Sequence, residues 1–192
     1  RWDGFKVPWP FYRTFDKNDD RLSVLVGEYM GNDGVLFNEE SDIIKHGNTY
    51  SGAVPVKYGE DPESTGDGSQ IDWIVYRYAD VLTLLSEAIV RQGNSVTQEA
   101  VDLLNQIRVR AKLSPYTMGD IKGVDDFLDK MLQERGHEFW WEGNRRADLI
   151  RHGKFIQNAI DRGSTTTKPE FVLFPLPQAV INEGKGIIIQ NP

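Results

Sequence analysis

Residues 75 to 112 constrain this chain most, because they carry two apolar stripes at helical spacing joined by a connection of only a few residues. Val75, Tyr78, Ala79, Leu82, Leu85, Ser86 and Ile89 follow the i, i+3, i+4, i+7 pattern of one helix face, and Gln92-Gly93-Asn94 supplies a stop. From Thr97 to Lys112, Ala100, Val101, Leu104, Ile107 and Ala111 mark the inner face of a second helix. The connection at 93–96 is so short that the two helices must pack antiparallel. Small alanines at the contact positions give this pair the look of one unit of a helical-hairpin repeat, yet no second copy occurs. Such a unit cannot cover its own apolar faces and expects neighbours.

More helix follows. A third helix starts at Gly123 or Val124, with Asp125 and Asp126 in the first turn where the helix dipole favours acids. Its inward face is Phe127, Leu128, Met131 and Leu132, and it runs on through Phe139 and Trp140 to about Glu142, where Gly143 breaks it. Further helices are expected over Arg145–Arg151, Lys154–Asp161 and Gln178–Glu183, with Phe171–Pro177 strand-like or extended. Residues 1–70 differ: they hold 13 acids against 7 bases, and only short apolar runs (Leu22–Val26, Val35–Phe37, Ala53–Val56) between turn residues. The chain therefore reads as mainly α. A loop-rich aromatic segment, 1–70, has a few short strands and faces the ligand, and a helical domain follows over 71–192. The glycine-rich stretch from Gly59 to Ser69 is the expected linker.

Several chemistries lack their residues. Cysteine is absent, so this stretch holds no disulfide, zinc-thiolate site, thiol nucleophile or lipid-bearing cysteine. Only three histidines occur, His46, His137 and His152, far apart, and no phosphate loop, dinucleotide fingerprint, HExxH or GxSxG pattern is present. The run from Asp16 to Asp20 begins like a calcium loop, but Arg21 stands at its sixth position and Gly27 at its twelfth. No metal and no cofactor is expected. The net charge of −7 argues against a nucleic-acid partner, which calls for a basic patch. The longest nearly uncharged run, Phe171–Asn182, is too short for a membrane span and contains two prolines.

The densest constellation is residues 133–151. Glu134, Glu138 and Glu142 recur every four residues, a stripe of like charge that repels unless cations face it. Arg135, Arg145, Arg146 and Arg151 are the nearby cations. Two readings follow, carboxylates poised for acid/base work or an ion-pair lattice made by Glu134, Arg135, Glu138, Glu142, Arg145, Asp148 and Arg151. Neighbouring arginines lower a carboxyl pKa, whereas a catalytic acid needs it raised, which favours the structural reading.

The same stretch carries a resemblance. Arg77-Tyr-Ala-Asp-Val-Leu82 with Ser86-Glu-Ala88, Leu104-Asn-Gln-Ile-Arg-Val-Arg-Ala111, then Glu134-Arg135, Glu138-Phe139, Glu142-Gly-Asn-Arg145 and Asp148-Leu-Ile-Arg151 are similar in order and spacing to the SusD/RagB family. Leu173-Phe-Pro-Leu-Pro177 resembles that family's LFPIP-type segment, Gln190-Asn-Pro192 its closing motif, and Trp2-Asp-Gly-Phe5 with Phe11-Tyr12 and Asp19-Asp-Arg21 its aromatic passage. Gly136, Arg146 and His152 depart from residues common there. The resemblance implies TPR-like helical hairpins and a non-catalytic surface lipoprotein of the outer membrane, which binds oligosaccharides and hands them to a SusC-like TonB-dependent transporter. It implies further that this stretch is the carboxy-terminal part, that the lipid anchor lies outside it, and that an apolar face left by partner hairpins is exposed or covered by another segment.

Sugar rings offer flat apolar faces and hydroxyl edges, so Trp and Tyr platforms on loops are the expected partners. Trp2, Trp9 and Tyr50 are the expected ligand-binding residues, in preference to Trp73, Trp140 and Trp141, which lie on or beside helices. Two alternatives remain at this level: a helical-repeat module that binds a peptide or protein, and a glycoside hydrolase using two of Glu134, Glu138 and Glu142.

Overall fold

The computed structural model describes residues 5–65 and 68–191, apart from the side chains of Asn48 and Thr49. Two compact units divide after Glu142, and the change of composition near residue 70 falls inside the first.

The first unit opens with short elements: β1 (Val7–Pro8), α1 (Trp9–Tyr12), a 3-10 turn at Asp20–Val24, β2 (Leu25–Val26), β3 (Tyr29–Met30), β4 (Leu36–Phe37), α2 (Glu39–Tyr50) and β5 (Gly52–Pro55). β5 lies between β1 and β2, antiparallel to both, and β3 and β4 form a separate hairpin. The expected apolar runs coincide with β2, β4 and β5. α2 was expected as loop, and its existence is a correction. Asn38 caps it by accepting from the Ser41 backbone while the Ser41 hydroxyl accepts from Asn38 N–H, and Glu39, Glu40 and Asp42 fill the first turn. Gly47, at φ 69°, breaks its helical path near the end.

Three long helices follow: α3 (Tyr78–Gly93), α4 (Gln98–Arg110) and α5 (Val124–Phe139). Left-handed Asn94 ends α3, and the Thr97 hydroxyl caps α4 by accepting from Ala100 N–H. The face expected for α4 is the buried one. On α3 the buried face is Ala79, Leu82, Thr83, Ser86 and Val90, while Tyr78 and Leu85, and Val75 just before the helix, all expected inside, are exposed. One cluster joins Val90, Ala100, Val101, Leu104, Phe127, Leu128 and Met131; a smaller one joins Ala79, Leu82, Ile107 and Phe139. A third lies under the strands, with Val7, Trp9, Phe15, Leu25, Ala53 and Trp140. α5 stops earlier than expected: Trp140 is extended and Trp141 is left-handed at φ 67°.

The second unit contains α6 (Arg145–Arg151), α7 (Phe155–Asp161), a 3-10 turn at Pro169–Val172 and α8 (Gln178–Glu183). Residues 173–177 form no strand, though Leu173 is extended as expected. The Gln190 side chain accepts from Leu176 N–H and donates to Leu176 C=O, and Asn191 donates to Phe174 C=O, so the tail holds the Leu173–Pro177 segment.

Candidate functional site

The glutamate stripe lies on α5 and faces cations from far away in the chain. Glu138 accepts from Arg21 at 3.2 Å, Arg77 at 2.5 Å and Arg110 at 2.5 Å. Glu134 pairs with Arg21 at 2.7 Å and Arg108 at 2.9 Å. Glu142 accepts from Arg77 at 2.8 Å and from Lys57. Asp19 grips Arg21 through Nε and Nη2, which fixes the fork that reaches two glutamates. None of these cations is one that the sequence reading set against the stripe. Arg135 pairs with Asp80 at 2.7 Å and donates to the Thr83 hydroxyl. Within the second unit Arg151 pairs with Asp148 at 2.8 Å, burial lowers the Arg145 pKa against the pull of Asp148, and Arg146 lies over Phe174 and Phe155. An Arg or Lys separated by dozens of residues from its partner leaves no spacing signal. Arg21 and Arg77 nevertheless stand inside the motifs quoted above.

Cations hold all three carboxylates in ion pairs. Burial alone pushes the Glu138 carboxyl up, but Arg77, Arg110 and Arg21 outweigh it and hold the pKa below its ordinary value. A general acid needs the opposite shift. Burial depresses the Lys57 pKa, opposed by Glu142. Among the described residues no group of His, Asp and Glu has the arrangement to hold a metal ion.

The aromatic surface is arranged otherwise than expected. Trp2 lies outside the described residues. Trp9 is only 2 % exposed, with its indole N–H donating to Asp42 at 3.1 Å, so it is a core residue and not a platform; this corrects its expected role. Asp42 also accepts from Gly52 N–H at 2.7 Å and Lys6 at 2.5 Å, and lies 2.8 Å from His46 Nδ1. Burial would raise the Asp42 pKa, but these partners, Lys6 foremost, bring it below the usual value. Tyr50, at the end of α2, is 77 % exposed. Trp73, expected to be packed, is 57 % exposed and stacks on Tyr58 with ring centroids 5.0 Å apart. Tyr29 on β3 is exposed and stacks on Phe37 of β4, a residue pair that sequence alone did not single out. A cavity of about 270 Å³ lies among Phe15, Asp16, Arg108, Tyr116, Glu134 and His137.

Comparison with known proteins decides the family. A model of the SusD family matches residues 8–192. This chain belongs to the SusD family. It is 26% identical over 158 residues to the starch-binding protein SusD of Bacteroides thetaiotaomicron, covering 79% of this chain and 26% of that protein. The chain thus spans about a quarter of that curated relative's length. A SusD homolog of known structure from the same organism superposes with a TM-score of 0.72 at 22% identity, over 97% of this chain and 43% of that one. A surface glycan-binding protein A from that organism, solved in complex with laminarihexaose, gives a TM-score of 0.60 at 22% identity, over 97% of this chain and 41% of that one. The fold of this SusD-family chain is the mainly helical one that the resemblance implied.

Proposed function

We propose that this chain is part of a non-catalytic, cell-surface glycan-binding protein that captures oligosaccharides and passes them to a SusC-like TonB-dependent transporter. The observation that carries the reading is the state of the carboxylates: Glu134, Glu138 and Glu142 each face arginine or lysine, while aromatic rings such as Tyr29 and Tyr50 stand in solvent. Paired, buried carboxylates anchor a scaffold; exposed rings stack on sugars. A curated relative named as starch-binding and a structural neighbour that holds laminarihexaose support the same ligand class. No helix among the described residues is long and apolar enough to cross a membrane, and an outer-membrane location through a lipid anchor outside this segment is part of the proposal.

Isothermal titration of the 192-residue chain with laminarihexaose and with maltooligosaccharides tests the reading. Saturable binding with no release of reducing sugar is the expected result. Turnover of either glycan, lost in Glu138→Gln, would favour the hydrolase instead. Absence of binding across a panel of neutral and acidic oligosaccharides would overturn the glycan reading.

A further inference from the structure

We infer that Tyr29 is the platform on which a pyranose ring of the bound glycan stacks, and that it is mounted on a column of rings rooted in the core. This inference rests on the glycan-binding reading and names its site. The column starts at Trp9, inside the strand cluster and tied by its N–H to Asp42. Phe37 follows, 6.1 Å from Trp9 between centroids, and Tyr29 follows Phe37 at 4.7 Å with their planes 26° apart. Tyr12 meets Trp9 edge-on at 5.4 Å. The pairing of β3 with β4 sets Tyr29 opposite Phe37, so the stack is built into the hairpin register. Gly27, just before the hairpin, lies so close to Tyr12 that a Cβ there would collide with its hydroxyl. The base of the hairpin is therefore held against the same rings.

A ring with one face covered by Phe37 and still 45 % exposed presents its other face to solvent. Because the column is fixed by packing and by the Asp42 hydrogen bonds, binding loses little rotamer entropy at the platform. The setting suits a sugar. Glu28 and Asn32, both exposed, lie close to Tyr29 in the chain as acceptors and donors for hydroxyl groups, and Met30 and Leu36 extend its apolar side. A pyranose has this pairing of an apolar C–H face with a polar rim, and the local excess of acids suits a neutral ligand. Trp73 is the rival platform, stacked on Tyr58, whereas the ring beneath Tyr29, Phe37, packs against the strand cluster.

The test compares the chain with Tyr29→Ala, Tyr29→Phe and Trp73→Ala by titration against laminarihexaose and maltohexaose, after far-ultraviolet circular dichroism has shown each folded. Tyr29→Ala is expected to weaken binding by roughly tenfold, the worth of a stacked ring. Tyr29→Phe, which keeps the face, is expected to bind within about threefold of the parent chain, and Trp73→Ala likewise. Parent-level binding by Tyr29→Ala overturns the platform and leaves the glycan reading intact. If the parent chain binds neither these sugars nor any on a glycan array, the reading beneath the platform fails and the platform goes with it.

Discussion

Glu138 is buried with its charge intact, and the three arginines around it are what make that tolerable. Glu138→Gln removes the anion and leaves Arg21 only Asp19 and Glu134 and Arg77 only Glu142 as charged partners, at a cost of about 2 kcal/mol. Exposed Arg110 contributes little to that figure. Since the folded carboxyl titrates below its ordinary value of 4.5, its contribution is fully present at neutral pH and is lost as pH falls through the lowered value. Urea melts at neutral pH are expected to show the full gap between the chain and Glu138→Gln, and melts at decreasing acid pH a shrinking one. A gap that stays constant with pH would contradict the ion-pair account. Asp42 plays the same part beside the strand cluster, accepting from an indole, an ammonium and a backbone amide. Asp42→Ala leaves these donors unmet and is expected to cost about 2–3 kcal/mol and to shift Trp9 fluorescence to the red. This bond explains why Trp9 was misjudged from sequence. Its partner lies 33 residues away, and a tryptophan among turn residues has no local mark that distinguishes a core ring from a platform.

At the scale of elements, the α3–α4 hairpin is the most legible part of the chain. α4 buries the stripe its sequence displays because Ala100, Leu104 and Ile107 face apolar neighbours on one side only. α3 has two apolar stripes, and periodicity alone does not choose between them. The deciding contact is polar: the Ser86 hydroxyl donates to Ala100 C=O at 2.6 Å, which brings the helices to close approach at small residues. Ala100→Leu forces a larger side chain into this fully buried contact and is expected to destabilise the chain by about 1–3 kcal/mol, read as a lower urea midpoint. An unchanged midpoint would mean that the hairpin is looser than its geometry implies. α2 was missed because its residues are mostly polar and Gly47 interrupts it. Its capping pair, Asn38 and Ser41 around two acids with Asp42 next, was a signal that could have found it.

For the whole molecule, the order of motifs pointed to the family and its helical fold, while the faces that the helices turn outward came only from the structure. On α3, Tyr78, Val81 and Leu85 form the second stripe, spaced i, i+3, i+7, and Tyr78 is 71 % exposed. Trp73, Val75 and Tyr76 continue this surface just before the helix. Monomeric proteins seldom leave so much contiguous apolar surface in water, and the burial of such a face by association is favourable in proportion to its area. The 192-residue chain by itself is therefore expected to self-associate at micromolar concentration. Val81→Glu combined with Leu85→Glu places two charges in the stripe without touching the buried face of Ala79, Leu82, Ser86 and Val90. Light scattering after size exclusion is expected to give a monomer for this double variant at unchanged helicity, and a larger species for the parent. Because Tyr29 lies on the β3–β4 hairpin and not on α3, glycan binding is expected to survive the double substitution. Association that persists in the variant would place the sticky surface elsewhere. A parent chain that is already monomeric would show that the stripe is too narrow to hold a partner by apolar burial alone.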